Sequence, residues 1–271
     1  MKIIKPIDDR RLIEELADLW RGRGILAVLV MRDVAVRYRQ AVIGILWALL
    51  QPIATTLIFT MVFVVFVRLP SQNVPYPVFV FAGLVIWQYF SRAVSDGALS
   101  LVVNSHLITK VYFPRIVIPL VAPFSAALDC LLGVAAVIVI APLFGADLQW
   151  TLVFVPFVVV FVGMFGYAIG LCLAPLQAIY RDIGIVLPFA LQIVMYSSPI
   201  VYPASMVPQT VRWLYRASPI AVMVDAMRWA LVGSEAPSML GIAVTLTLGL
   251  VLFWSGLSIF RRLEGTLVDR I

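Results

Sequence analysis

Long stretches without any charged residue dominate this sequence. Five of them exceed the roughly 20 apolar residues that a helix needs to cross a bilayer. A sixth stretch, residues 116–146, contains only Asp129 as a charge. Charged residues form 13% of the chain, whereas soluble domains carry about 25%. The sequence therefore predicts an integral membrane protein.

The predicted fold is all-α, with six transmembrane helices in one domain, residues 41–260. Residues 1–40 are predicted to form cytoplasmic and interfacial N-terminal helices, and residues 261–271 a cytoplasmic tail. The six spans are predicted at residues 43–67, 76–91, 116–144, 152–173, 185–202 and 240–260.

Basic residues predict the orientation, because lysine and arginine are retained on the cytoplasmic side of the membrane. Only four of the 20 basic residues fall on the opposite side of the predicted spans: Arg68, Arg212, Arg216 and Arg228. We therefore expect a multi-pass protein of the cytoplasmic (inner) membrane with both termini in the cytoplasm. No removable signal peptide is visible at the N-terminus.

Segments outside the spans also show helical patterns. Apolar residues between 12 and 20 recur at helical spacing, which predicts an interfacial helix on the membrane or, alternatively, a solvated helix packed on a partner. Residues 25–39 predict a second helix leading into the first span. Residues 203–238 are too apolar for open water and predict short re-entrant helices before the last span.

Glycines in the fourth span, Gly163, Gly166 and Gly170, predict close packing against another helix, because a glycine carries no side chain.

Catalytic groups are scarce in this sequence, and we predict no catalytic, cofactor-binding or metal-binding residue. No Gly-x-x-x-x-Gly-Lys-Ser/Thr segment occurs, so any ATP and its magnesium ion are expected on a separate subunit. Cys130 and Cys172 are expected to be buried hydrophobic residues, and His106 a solvated loop residue. For Asp129 the alternatives are a contact with a neighbouring helix, a proton relay, or a position near the interface.

Five aromatic residues lie at several predicted depths, and not only at the membrane interfaces. They are Trp47, Trp87, Tyr89, Phe90 and Tyr196. Aromatic faces stack on sugar rings, so these residues are candidates for a channel lining, with lipid or helix packing as the alternative.

The loop at residues 104–115 is unusually apolar for the cytoplasmic side. Apolar residues at helical spacing before Pro114 predict a short helix with a docked face, or one that rests on the membrane surface. The apolar residues are Leu107, Ile108, Val111, Tyr112 and Phe113, and the charged ones are Lys110 and Arg115.

A series of local motifs follows the order of one known family. The motifs are Arg32-Asp33, Arg37-Tyr38, Gly44, Trp47 and Gln51-Pro52, then Phe81-Ala82-Gly83-Leu84 and Trp87, Lys110-Val111-Tyr112-Phe113-Pro114-Arg115, Tyr180-Arg181-Asp182-Ile183, and Ser198-Pro199-Ile200-Val201-Tyr202. Together they resemble the membrane subunit of ABC-2 type polysaccharide exporters, which move O-antigen, teichoic acid or capsule chains. Ser218-Pro219 departs from the Asn-Pro that is more frequent there.

The resemblance implies a homodimer with two copies of a separate ATPase subunit, exporting a lipid-linked polysaccharide, with no role for nucleic acid. It places a coupling helix in the 104–115 loop, with Arg181 and Asp182 as a secondary contact. An exporter of drugs or lipids, a secondary transporter, and a scaffold without transport function remain alternatives.

Overall fold

The computed structural model describes residues 22–39, 44–66, 74–110, 113–203 and 206–270, with side chains except at 45, 108–110 and 264–270. The helices are α1 (Arg23–Arg39), α2 (Trp47–Thr60) continued by a π-helical segment (Met61–Phe66), α3 (Tyr76–Val103), α4 (Ser105–Lys110), α5 (Val117–Leu143), α6 (Val155–Ile179), α7 (Ile183–Ser197), α8 (Gln209–Ala217), α9 (Pro219–Val232) and α10 (Met239–Arg270). Short 3-10 turns precede α2 (Gly44–Leu46) and α6 (Trp150–Phe154).

Membrane-spanning segments account for most of the chain. Within the described ranges, five helices are long and apolar enough to cross a membrane, and α7 is a shorter apolar helix at the predicted fifth span. The all-α integral membrane fold is thus confirmed, including the helix predicted at residues 25–39 and the two short helices, α8 and α9, before the last span. The interfacial helix predicted at residues 12–20 lies outside the described residues.

Helix α3 is the centre of the helical bundle and contacts both α5 and α6 extensively. Small residues bring α6 against it: a Cβ at Gly166 would lie 2.8 Å from the Cβ of Ala93, and one at Gly170 would lie 3.2 Å from the Cα of Gly97. The close packing predicted for the glycines of the fourth span is confirmed, and Gly163 meets the Tyr89 hydroxyl in the same way.

Two hydrophobic clusters mark the two ends of the bundle. One joins the end of α3, the start of α5 and the ends of α6 and α10 through Leu101, Val117, Leu171 and Phe260. The Tyr167 hydroxyl stabilises this end by donating to the Ile116 carbonyl at 3.0 Å. The larger cluster extends from the middle of the bundle to the other end, where α9 and the turn after α7 pack on α3.

The predicted end of the second span at Ser91 is wrong, because α3 continues without a break to Val103. The continuation is amphipathic. Ala93, Val94, Gly97 and Ala98 are buried, while polar residues on the other side, including Arg92, are partly accessible. Arg92 is therefore a helical residue, and not part of a cytoplasmic loop.

Three further boundaries differ from the sequence prediction. Helix α6 extends to Ile179 and α7 ends at Ser197, before the predicted 202. Helix α10 continues to Arg270, through most of the segment predicted as a tail. Of these helices, only α10 continues past the end of its uncharged stretch at Phe260. Helix α6 ends within an uncharged stretch that reaches Tyr180, and α7 ends where the backbone becomes extended at Ser198.

Helices α2 and α7 are the least covered spans. Only 11% of the α2 span is buried, and Leu57, Ile58 and Phe66 are more than half exposed. On α7, Ile185 and Phe189 are likewise more than half exposed. Both helices therefore present apolar faces that the rest of the chain does not cover.

Candidate functional site

A cleft of about 740 Å³ separates α2 from α3 and α5. Its lining contains both polar and apolar side chains. Gln51, Pro52 and Phe59 come from α2, and Gln88 and Ser95 from α3. Because α2 packs so little against the bundle, the cleft extends along α2 from Trp47 to Phe59.

Four of the five predicted channel aromatics line this cleft. Trp47 and Tyr196 are exposed at 53% and 55%, whereas Trp87 and Tyr89 are only 5% exposed. Phe90 packs in the core between Trp87 and Phe165, with ring centroids 5.8 and 6.2 Å away. The structure therefore brings Trp47, Trp87, Tyr89 and Tyr196 together around one space and separates Phe90 from it.

A network of charged residues occupies one end of the cleft. Asp129 of α5 accepts hydrogen bonds from Arg37 at 2.9 Å, from the Tyr38 hydroxyl and from Arg92. Arg37 also contacts Asp96 of α3 at 3.4 Å. Asp129 thus makes contact with neighbouring helices, as the first of the sequence-based alternatives predicts.

A fully buried arginine lies toward the other end of the subunit. Arg228 of α9 is 1% exposed, and its guanidinium donates to the carbonyl oxygens of Phe79 at 3.0 Å, Pro199 at 2.9 Å and Ile200. The same group lies 3.4 Å above the centroid of the Phe79 ring, and Asp225 is 3.6 Å away. A planar guanidinium with five donors suits this arrangement better than an ammonium.

Two of the family-like motifs converge on Arg228. A Cβ at Gly83 would lie 2.7 Å from Nη2 of Arg228 and 3.0 Å from the Ile200 carbonyl oxygen. Glycine is therefore needed in the Phe81-Ala82-Gly83-Leu84 segment to admit the guanidinium. The Ser198-Pro199-Ile200 turn supplies two of its three acceptors.

The predicted coupling segment contains a short helix, α4, after Asn104. Leu107 is partly exposed, and Phe113 packs against the cluster formed by the ends of α3, α5, α6 and α10. Arg115 is partly exposed, and Arg181 and Asp182 are exposed in the turn before α7. Val111 and Tyr112, and the side chains of Ile108 and Lys110, lie outside the described residues.

Sequence reasoning missed Arg37, Tyr38, Arg92 and Arg228 as site residues. The signal for the first three was Asp129 itself, because a carboxylate in an apolar span requires a cationic or hydrogen-bonding partner. The signal for Arg228 was its place in a mostly apolar segment, three residues after Asp225, whereas the charge count used it only to assign this segment to the side of the membrane opposite the cytoplasm.

Comparisons with known proteins agree with this architecture. Residues 25–232 match the family described as "ABC-2 type transporter". An O-antigen export system permease protein RfbA of Myxococcus xanthus is 29% identical over 252 residues, covering 92% of this chain and 96% of the relative. Two proteins of the same description from Klebsiella pneumoniae are 26% and 27% identical over 242 residues, covering 89% of this chain and 92% of each relative.

The matched region begins in α1 and ends with the last residue of α9, so it contains the cleft, the charged network and Arg228. It covers more than half of the chain and agrees with the resemblance that the ordered motifs indicate. The protein belongs to the ABC-2 type transporter family.

Proposed function

We propose that this protein is the membrane subunit of an ATP-driven exporter that moves a lipid-linked, O-antigen-like polysaccharide across the cytoplasmic membrane. The observation that carries the proposal is the similarity over nearly the whole length to three permeases named for O-antigen export. The cleft supports it, because an aromatic and polar wall offers sugar rings many weak contacts along its length.

A second copy of the chain completes the pathway in this proposal. The cleft is open along α2, and both α2 and α7 present uncovered apolar faces. Lipid tails can cover such faces, but a polar glycan in the cleft requires protein on its remaining side because hydrocarbon does not solvate sugar hydroxyls. A homodimer enclosing the two clefts meets that requirement.

Energy comes from two copies of a separate ATPase subunit, which bind ATP and magnesium. Helix α4 and the Arg181–Asp182 turn are the proposed contacts. The clusters of the bundle place the end of α3 beside the start of α5 and the end of α6, so α4 and this turn lie at the same end of the subunit. The predicted orientation assigns that end to the cytoplasm, with both termini inside.

Deletion and complementation test the proposed function. A strain lacking this chain is expected to accumulate lipid-linked O-antigen in the cytoplasm and to lose it from the surface, and the intact gene should restore export. A variant with Leu107→Asp and Tyr112→Asp is expected to remain in the membrane yet lose the ATPase on co-purification. Normal surface O-antigen in the deletion strain would contradict the proposed function.

The channel lining is tested separately. The variants change the exposed pair, Trp47 and Tyr196, and leave the buried pair, Trp87 and Tyr89, unchanged. Trp47→Leu combined with Tyr196→Leu removes two accessible rings from the cleft, and we expect reduced export with the complex intact. Trp150, which is 75% exposed outside the cleft, provides a matched control, and Trp150→Leu should leave export unchanged. Equal export by the double variant and the control would remove the aromatic lining from the proposal.

A further inference from the structure

Asp129 connects three helices through a single carboxylate. Its donors are Arg37 and Tyr38 on α1 and Arg92 on α3, while Asp129 itself belongs to α5. The Asp129 side chain is only 12% exposed. A charge in a membrane helix persists where partners compensate for its lost hydration, and here those partners come from two other elements.

The network contains one more carboxylate than arginine side chains and is shared between helices. Arg37 also contacts Asp33 at 3.1 Å and Asp96 at 3.4 Å. Two arginines therefore face three carboxylates: Asp33, Asp96 and Asp129. Such a set has no surplus positive charge to attract a phosphate group, so its chemistry favours a tie between helices over an anion site.

The same helix, α1, contacts the segment next to α4. Arg32 donates to the Asn104 side-chain oxygen, and Asn104 is buried and donates to the Ser100 carbonyl at 2.8 Å. Arg32 and Arg37 are five residues apart, about 7.5 Å along a helix. One short rigid element therefore contacts both the residue that precedes α4 and the wall of the cleft.

We propose that Asp129 is a positioning residue that holds α1 against the cleft wall, so that a displacement at Asn104 and α4 is passed through α1 to α5. This inference rests on the proposed function, because it assigns to α1 the transfer of movement from the ATPase contact to the glycan path. Asp129 acts through Arg37 and Tyr38, whose side chains donate hydrogen bonds to its carboxylate.

The test measures glycan export and ATP hydrolysis together in the complete complex. Asp129→Asn retains the shape of the side chain and removes its charge. We expect assembled complex with hydrolysis within about twofold of the unaltered protein and export lower by about tenfold, an effect of the size found within one hydrogen-bonded network. Asp129→Glu should recover part of the export, and Asp147→Asn, at an exposed site between α5 and α6, should change neither activity.

A double variant separates a transmitting role from a structural one. If Asp129 and Arg32 act on one path through α1, adding Arg32→Gln to Asp129→Asn should lower export no further. Independent sites would multiply their losses. Multiplied losses, unchanged export by Asp129→Asn, or a parallel fall of export, hydrolysis and protein amount would each overturn the proposal.

The unaltered complex distinguishes this proposal from the one on which it rests. If the unaltered complex carries no glycan, the proposed function is overturned. If it exports normally and Asp129→Asn does the same, only the role of Asp129 is overturned.

Discussion

Replacing Arg228 with methionine should destabilise the subunit strongly, although the two side chains have similar length. In the structure, three backbone carbonyls on two separate segments, at Phe79 and in the Pro199–Ile200 turn, accept from this one guanidinium. Methionine fills the space without donating a hydrogen bond. The turn after α7 would then lose its polar attachment to α9, and the Tyr76 hydroxyl of α3, which donates to the Val201 carbonyl at 2.7 Å, would still hold it.

The magnitude follows from the number of unsatisfied acceptors. Each buried group left without a partner costs about 1–3 kcal/mol in soluble proteins, whereas hydrogen bonds within membrane proteins average about 0.6 kcal/mol. For three carbonyls, these two values give a loss in the free energy of unfolding of between about 2 and 9 kcal/mol. We expect about 3–5 kcal/mol, the range for breaking a buried charged contact, which corresponds to a fall in Tm of about 6–20 °C.

Thermal unfolding of the purified subunit in detergent measures this change. Arg216 on α8 provides the matched control, because it is exposed and Arg216→Met removes the same charge from a neighbouring helix. Arg228→Lys should give an intermediate Tm, since one ammonium cannot reach all three carbonyls with the geometry of the guanidinium fork. If Arg228→Met unfolds at the same temperature as Arg216→Met, the attachment described here contributes nothing to stability.

Three further predictions follow from the fold. Gly83→Ala should lower the Tm because its Cβ would lie 2.7 Å from Arg228, and the loss should not add to that of Arg228→Met; additive losses would separate the two sites. Gly170→Leu should reduce the yield of folded subunit, since a Cβ there already lies 3.2 Å from the Cα of Gly97, and an unchanged yield would show that α3 and α6 separate easily. A single cysteine at Gln209 in a cysteine-free background should react with an impermeant reagent in intact cells; labelling only after the cells are opened would reverse the predicted orientation.

The lengths of the uncharged stretches and the positions of the charges predict that this is a membrane protein and roughly where its spans lie. They do so because a helix that crosses the hydrocarbon core needs about 20 mostly apolar residues. The same rule fails where a helix becomes amphipathic. Helix α3 continues from Ser91 to Val103 because its small and apolar residues still face α5 and α6 while Arg92 and Asp96 face the cleft. A count of charges treats such residues as the end of a span.

The candidate site was only partly predictable, for a related reason. Trp47, Trp87, Tyr89 and Tyr196 were identified from their depth, and the fold brings them to one cleft. Phe90 is turned away from the cleft and packs on Phe165 of α6. Depth along a helix does not determine the direction of a side chain. Arg228 was missed because its partners are backbone carbonyls distant in sequence, which no spacing rule reveals.

Because only a small part of α2 is buried, the residues that determine folding of this subunit differ from those on α2 that line the cleft. Helices α3, α5 and α6 interlock through glycines and buried apolar residues, so substitutions there alter whether the chain folds. Most α2 residues contact little of their own chain, so in the proposed dimeric exporter substitutions on this helix are expected to alter glycan passage and the contact between the two copies. Evolution could therefore adapt this wall to a different glycan while leaving the folded scaffold unchanged.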